Sequence, residues 1–207
     1  VASSEGANNV ELVRLYNDAC PYKTPPQASN PNIRQGIDGF PIVMFWSNGN
    51  STVFLGKYNF NNDKGTPEVY GFAAGDESWE ILNNTSSRVL WKSADFVGDA
   101  WLSDFEGRYP DGNTDPTQLS ALSAWLVSTD QEAATGATLE TPVTYGGVEY
   151  TNDTAEYRLA KFKAELPDHI EVDSACFYYL FTELFLMVDS RAKNMFPTIF
   201  AGGEANG

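Results

Sequence analysis

The sequence predicts an α+β fold, in which an antiparallel, β-rich first half (residues 1–95) packs on a helical second half (residues 96–207). Within residues 40–60, two β-type runs flank an Asn48-Gly49 step, which suits a hairpin turn that needs positive φ. Beyond residue 95, apolar residues recur at helical spacing instead of alternating. Residues 173–188 have too many apolar positions for one helical face, so they predict a helix buried on most sides.

The first half is predicted to begin with a helix over residues 8–19, followed by an extended Pro-rich loop over residues 22–39. The hairpin strands come next. Further strands are predicted to complete an antiparallel meander, at residues 68–72, 78–82 and 89–92. Trp79 and Trp91 are predicted to be the packing residues of this β-rich half.

The second half is predicted to start with a helix that has Pro116 at its first position and apolar residues from Leu119 to Leu126 on one face. A small hairpin over residues 143–150 turns at Gly146-Gly147. A helix over residues 151–166 then ends at Pro167. The buried helix over residues 173–188 follows, and Cys176 within it is predicted to be buried. His169, after Pro167, is predicted to lie in a surface turn.

Composition excludes several classes of function. The formal charge of −15 argues against nucleic acid as a partner, because nucleic-acid modules carry a basic patch. Two cysteines and one histidine supply neither a disulfide framework nor a zinc site. The apolar run of the second half is shorter than the roughly 20 residues that cross a bilayer, so no membrane span is predicted. The single histidine, His169, is predicted to be a surface residue, so no Ser-His-Asp catalytic triad is predicted either.

The candidate catalytic residues are Asp189, Lys193 and Asn194, with Asn194 as the metal ligand. Asp189 and Asn194 are five residues apart, and protein kinases place at this interval the carboxylate that orients the attacking hydroxyl and the amide that holds Mg²⁺. ATP and Mg²⁺ are the cofactors that this interpretation requires. The kinase-like interpretation is the alternative to a structural one, which the spacing favours and in which Arg191 and Lys193 cap a helix through its dipole and no cofactor is needed. The kinase interpretation predicts that Asp189 and Asn194 lie close together where the two halves meet.

No Gly-rich phosphate loop or Walker motif accompanies these residues. Gly56-Lys57 in the second hairpin strand could place a lysine near a nucleotide, although a lysine on a half-exposed strand is ordinary.

Several strings of the sequence resemble large structural proteins of tailed bacteriophages of gut Firmicutes, often labelled minor structural or tail proteins. The resemblance spans residues 3–200, and residues 54–64 are its most specific part. The strings that carry it are residues 8–9, 24–27, 39–41, 54–64, 79–85 and 188–195.

That phage family is in turn distantly similar to the spore-coat CotH-type atypical kinases. Gly56-Lys57-Tyr58 matches their Gly-X-Tyr strand end, and the segment from Asp189 to Asn194 matches their Asp-X4-Asn segment. The likeness implies a kinase-like, two-lobed arrangement. The Trp and Asp-X-Asp segment that follows in both families does not occur here, so we expect this sequence to be the middle of a longer protein, incomplete at both ends.

The resemblance implies a virion structural protein, located in the virion as a tail component that serves assembly or host attachment. Its expected partners are other virion proteins, in a homo- or hetero-oligomeric assembly, and the host cell surface. The alternative function is a CotH-like atypical kinase or nucleotide-binding domain that transfers phosphate with Mg-ATP.

Overall fold

The computed structural model of the protein describes residues 7–82 and 90–201. It contains α-helices and antiparallel strands, which confirms the predicted α+β class. Its contacts divide the chain into two compact units. The first takes in the described residues up to Glu77 together with Phe200 and Ala201, and the second runs from Ser78 to Ile199. The division therefore falls between residues 77 and 78, whereas the sequence suggested two lobes divided at residue 95.

The first unit consists of three helices and one long hairpin. The helices are α1 (Ala7–Ala19), α2 (Pro25–Ser29) and α3 (Pro67–Tyr70), and the strands are β1 (Gly39–Ser47) and β2 (Thr52–Asn61). The predicted first helix and the predicted hairpin are both confirmed. The register pairs Phe40 with Phe60 at the base and Ser47 with Thr52 at the tip. Gly49 in the connecting loop has φ +89°, a conformation that favours glycine.

A small core of buried side chains holds the first unit together, and it includes Val10, Cys20, Ile33 and Tyr70. Buried Gln27 satisfies its amide within this core. Its Nε2 donates to Ile33 O at 2.9 Å, and its Oε1 accepts from the Thr24 N–H at 3.1 Å. A buried polar side chain is stable only when it is hydrogen-bonded in this way.

Three predictions for this part of the chain were wrong. Residues 68–72 are not a strand, because α3 begins at Pro67, where the fixed φ of proline suits a first helical turn. For the same reason the predicted loop over residues 22–39 contains α2, which begins at Pro25. The predicted meander does not form either, since β1 and β2 make a two-stranded sheet of their own.

The second unit is built around a three-stranded sheet with strand order β4-β3-β7. These strands are β3 (Glu77–Ile81), β4 (Phe105–Tyr109) and β7 (Thr198–Ile199). A separate hairpin pairs β5 (Thr138–Tyr145) with β6 (Val148–Asn152), as the Gly146-Gly147 step predicts. The helices of this unit are α4 (Thr117–Ser128), α5 (Ala155–His169) and α6 (Val172–Leu184). Single 3-10 turns occur at Ser93–Phe96, Ala100–Asp104, Gln131–Ala133 and Val188–Arg191.

The main core of the second unit is aromatic. Trp79, Trp101 and Leu119 are buried together, with Trp91 and Phe105 packed against them. Trp101 and Phe105 meet edge to face, with ring centroids 5.3 Å apart, a favoured aromatic geometry. The prediction that Trp79 and Trp91 are packing residues is confirmed. The strand predicted over residues 89–92 is not present at residues 90–92, and residue 89 lies outside the described residues.

The helix that was predicted to end before Pro167 continues to His169. Proline removes one N–H donor, but the following turn is held by the Ile170 N–H, which donates to Leu166 O at 3.0 Å. The His169 ring also stacks on Trp125, with centroids 4.2 Å apart. His169 is exposed, as predicted, although it lies at a helix end and not in a turn.

The prediction of a buried helix over residues 173–188 was wrong in length and in burial. Helix α6 ends at Leu184, and only Phe181 and Thr182 within it are buried. Leu180 is 65% exposed and Leu184 is 75% exposed, and Cys176 is exposed as well. A helix is buried only where other elements cover it, and the main neighbour of α6 is the short 3-10 turn that follows it. Across residues 7–82 and 90–201, no helix has the length and apolarity needed to span a membrane.

Candidate functional site

The segment that carries the predicted catalytic residues is a loop attached to strand β3. The 3-10 turn Val188–Arg191 opens it, and Asn194 follows with φ +55°. The Asn194 N–H donates to Ile81 O at 2.9 Å, and the Ile81 N–H donates to Met195 O at 2.9 Å. The strand therefore sets where the segment ends.

Two side chains from distant parts of the second unit also hold this loop. Trp91 Nε1 donates to Ala192 O at 2.9 Å, and Ala192 is fully buried. The Tyr178 hydroxyl donates to Ser190 O. Burial raises the pKa of Tyr178 to about 12, so the hydroxyl remains a donor to a higher pH than that of an ordinary tyrosine. The loop is thus positioned by the fold, whether or not it carries chemistry.

The three predicted residues lie within six consecutive positions of the sequence. Asn194 is exposed and Lys193 is half-buried. The side chain of Asp189 lies outside the described side chains, so the predicted proximity of its carboxylate to Asn194 stays a prediction. Arg191 forms an ion pair with Glu183 in the last turn of α6, where a cation is favoured by the helix dipole. This contact agrees with the capping interpretation of the basic residues.

A cavity of about 290 Å³ borders this loop within the second unit. Among the described residues that line it, the two charged ones, Lys92 and Arg191, are both basic. The guanidinium of Arg191 has a buried Nε without a hydrogen-bond partner among the described residues. The remaining lining residues are mostly apolar, and they are Ile81, Leu90, Trp91, Ser93, Phe96, Leu126 and Met195. Such a lining would suit a small ligand with an apolar body and a negative group.

Two carboxylates on neighbouring strands of the second unit are paired with one arginine. Arg108 Nε donates to buried Glu80 at 2.6 Å, and its terminal nitrogens bind Glu106 at 3.0 and 2.6 Å. A buried carboxylate that is neutralised in this way serves the structure. In the part of the chain that the structure describes, no cluster of three or more His, Cys, Asp or Glu side chains could hold a metal ion.

The most distinctive surface of the molecule is one that sequence reasoning missed, on the β1–β2 hairpin. Directly paired residues of an antiparallel hairpin share one face, and successive residues alternate between faces. One face therefore has apolar side chains from base to tip, and we call it the apolar face. Its members are Phe40, Ile42, Met44, Trp46, Val53, Tyr58 and Phe60. Ile42 is half-buried, and the other six are between 41% and 62% exposed.

The opposite face of the hairpin is mixed. Phe45 and Phe54 lie on it towards the tip, Val43 and Lys57 form a pair midway, and Asn59 lies towards the base. The register shifts between Met44 and Phe45, which leaves Leu55 without a pair in the ladder. The two faces therefore differ in polarity although they belong to the same two strands.

Charge is the signal in the sequence that could have revealed this surface. Between Gly39 and Asn62 the only charged residue is Lys57, although the whole chain carries 28 acidic residues. A hairpin with one solvated face normally alternates apolar and polar residues. Here β1 has almost no polar residue before Ser47, which is typical of a strand covered on both faces.

No protein family, curated protein or solved structure matches the chain. The family that the sequence resembles therefore enters only as a proposal.

Proposed function

We propose that the chain is a structural component of a tailed-bacteriophage virion, placed in the tail, where it acts through contact surfaces in assembly or host attachment. The observation that carries the proposal is the exposed apolar face of the β1–β2 hairpin. Residues 54–64 and 188–195 resemble phage structural proteins, and this resemblance is the basis for proposing that the chain belongs to a virion. Other virion proteins are the proposed partners.

An extended exposed apolar surface favours an interaction protein. Large contiguous apolar patches on a protein surface mark binding sites for proteins, membranes or ligands. An isolated two-stranded hairpin is at best marginally stable in water. The β1–β2 hairpin, whose strands pair only with each other among the described residues, would gain stability from a partner that covers it.

Helix α6 gives the second unit an exposed apolar surface of its own. Cys176, Leu180 and Leu184 follow one another at intervals of four residues, so they lie on one side of the helix, and all three are exposed. A chain that presents an apolar surface on each of its units can contact more than one neighbour. Repeated contacts of this kind are what a virion assembly requires.

Detection of the protein in purified virions tests this proposal. We expect its peptides in gradient-purified particles at a constant ratio to a major capsid protein, as measured by quantitative mass spectrometry. A phage replication protein from the same lysate serves as the control for contamination. Absence of the chain from particles, or a ratio no higher than that of the replication protein, would overturn the proposal.

A phosphotransferase that uses Mg-ATP is the second candidate, with Asp189, Lys193 and Asn194 as its catalytic residues and Asn194 as the metal ligand. The observation that favours it is the cavity beside their loop, because its lining includes two basic side chains, Lys92 and Arg191. Basic groups stabilise transferring phosphoryl groups. The CotH-like, two-lobed arrangement belongs to this candidate.

Calorimetric titration with Mg-ATP tests the second candidate. It predicts saturable binding of Mg-ATP. In a parallel assay with labelled ATP, it predicts phosphate transfer that Asp189→Ala abolishes and that the matched variant Asp168→Ala, at an exposed position of α5, retains. If the unaltered protein does not bind Mg-ATP, or if both variants behave alike, the candidate fails.

A further inference from the structure

We propose that the apolar face of the β1–β2 hairpin is covered by the same face of a second copy of this chain, so that two hairpins stack around a two-fold axis. The inference rests on the proposed function, since it names the partner of the proposed assembly surface. The area, charge and edges of the hairpin favour a second copy as the partner that covers this face.

The exposed area of the apolar face suits a dimer. Four of its side chains, Phe40, Trp46, Tyr58 and Phe60, are aromatic, and each is about half exposed. Full burial of an aromatic side chain removes about 150–250 Å² from water, so covering these four buries roughly 300–500 Å² per copy. The aliphatic members of the face add to this area. The sum approaches the roughly 800 Å² that each partner contributes to an interface of standard size.

Charge favours a second copy at this surface. A chain with a formal charge of −15 repels its own copies over most of its surface. The hairpin contains no acidic residue, and its single charged residue, Lys57, lies on the opposite face. Two apolar faces can therefore meet without bringing carboxylates together.

The same features disfavour a lipid bilayer as the occupant. The tip of the hairpin is the polar loop Ser47-Asn48-Gly49-Asn50-Ser51, and desolvating polar groups in lipid is costly. Anionic membrane surfaces attract basic segments, and this chain is strongly acidic.

The edges of the hairpin favour stacking of faces over addition of strands. Proline cannot donate to a neighbouring strand, and Pro41 lies within β1. On β2, the register shift at Leu55 and the charge of Lys57 are features that protect edges from pairing. Stacked faces would instead form a two-layer core of four strands, with the layers about 10 Å apart. A two-fold axis makes such a contact self-complementary, as in most homodimers.

Two neighbouring residues on opposite faces provide a matched test in the full chain. Met44 lies on the apolar face, and Val43 lies on the other face opposite Lys57. We expect the unaltered protein to sediment as a dimer. Met44→Glu is expected to raise the dimer dissociation constant at least about 30-fold, because it places an unpaired carboxylate in the contact. Val43→Glu adds the same charge outside the contact and is expected to leave the constant within about threefold. Circular dichroism spectra identical to that of the unaltered protein establish that both variants are folded.

Three results would overturn the inference. The first is an unaltered protein that remains monomeric at about 100 µM, a concentration at which even micromolar dimers assemble. The second is an equal loss of association in both variants. The third is a monomer that co-floats with phosphatidylcholine vesicles and loses this binding in Met44→Glu, which would assign the face to lipid. None of these results depends on whether the chain is found in virions, so the inference and the proposed function can fail separately.

Discussion

Arg158 donates two hydrogen bonds to the carboxylate of Asp153, from Nε to Oδ1 at 2.7 Å and from Nη2 to Oδ2 at 2.9 Å. Both side chains are largely buried, with 14% and 12% of their surface exposed. Arg158 Nη1 also donates to Asp130 O at 3.2 Å. One side chain of α5 therefore joins the end of β6 to the segment that follows α4.

This pair makes stability depend on pH. The hydrogen bonds from Arg158 hold the pKa of Asp153 below its usual range. A depressed folded-state pKa stabilises the protein above the unfolded value of about 3.9, and this stabilisation is lost as the pH falls through the folded pKa. Asp153→Asn should therefore lower the urea midpoint at pH 7, by an amount that shrinks as the pH falls below about 4. Exposed Asp168→Asn is the control, and a deficit that stays constant at acidic pH contradicts the prediction.

Leu119 and Leu184 are both leucines on helices but differ in burial, so substituting each one tests how much packing contributes to stability. Leu119 on α4 is 4% exposed, and Leu184 on α6 is 75% exposed. Leu119→Ala should lower the free energy of unfolding by about 2–5 kcal/mol, because it leaves a cavity beside Trp79 and Trp101. Leu184→Ala should change it by less than about 0.5 kcal/mol. Denaturant titration of both variants measures the difference, and similar losses would show that α6 is covered.

The two cysteines should differ in their reaction with a thiol reagent. Cys176 on α6 is exposed, and Cys20 in the core of the first unit is buried. In the native protein, one thiol per chain should react promptly with Ellman's reagent, and the second should react only after denaturation, because access limits the reaction. Cys176→Ser should remove the prompt reaction, and Cys20→Ser should retain it. A prompt reaction that survives Cys176→Ser is incompatible with the burial that we describe.

Gly71 should be sensitive to substitution for two physical reasons. Its φ of +74° is left-handed, and a Cβ there would lie 2.5 Å from Pro26 Cβ. Gly49, in the same unit, has φ +89° and open space around it. Each alanine variant should lose about 1–2 kcal/mol from the left-handed conformation, and only Gly71→Ala should lose more through the clash. Thermal unfolding compares them, and equal shifts in Tm would mean that the Pro26 contact costs nothing.

Local patterns in the sequence were sufficient where neighbours along the chain decide the structure. The Asn48-Gly49 and Gly146-Gly147 steps predicted both hairpins, because a tight turn is specified by its own residues. The first helix and the helix after Pro116 were predicted from apolar spacing. Residues 68–72 were mistaken for a strand because Pro67, which favours a first helical turn, was given no weight.

At the candidate site, too, local spacing was visible in the sequence, whereas long-range contacts were not predictable from it. The five-residue interval between Asp189 and Asn194 was enough to identify them as candidate catalytic residues. It could not show that their segment is tied to Ile81 and held by Trp91, since that indole reaches Ala192 across 101 residues of sequence. A contact over such a distance exists only once the strands have packed.

The sequence by itself determined the α+β class, the two hairpins and the packing role of Trp79 and Trp91, because turn chemistry and apolar periodicity act over a few residues. Only the tertiary structure decided which apolar residues are covered. The apolar run of α6 and the apolar face between Phe40 and Phe60 both predict burial by composition, yet Leu180, Leu184 and six of the seven residues of the apolar face are exposed. Burial depends on which elements meet a surface, and packing among distant segments or partners supplies that information.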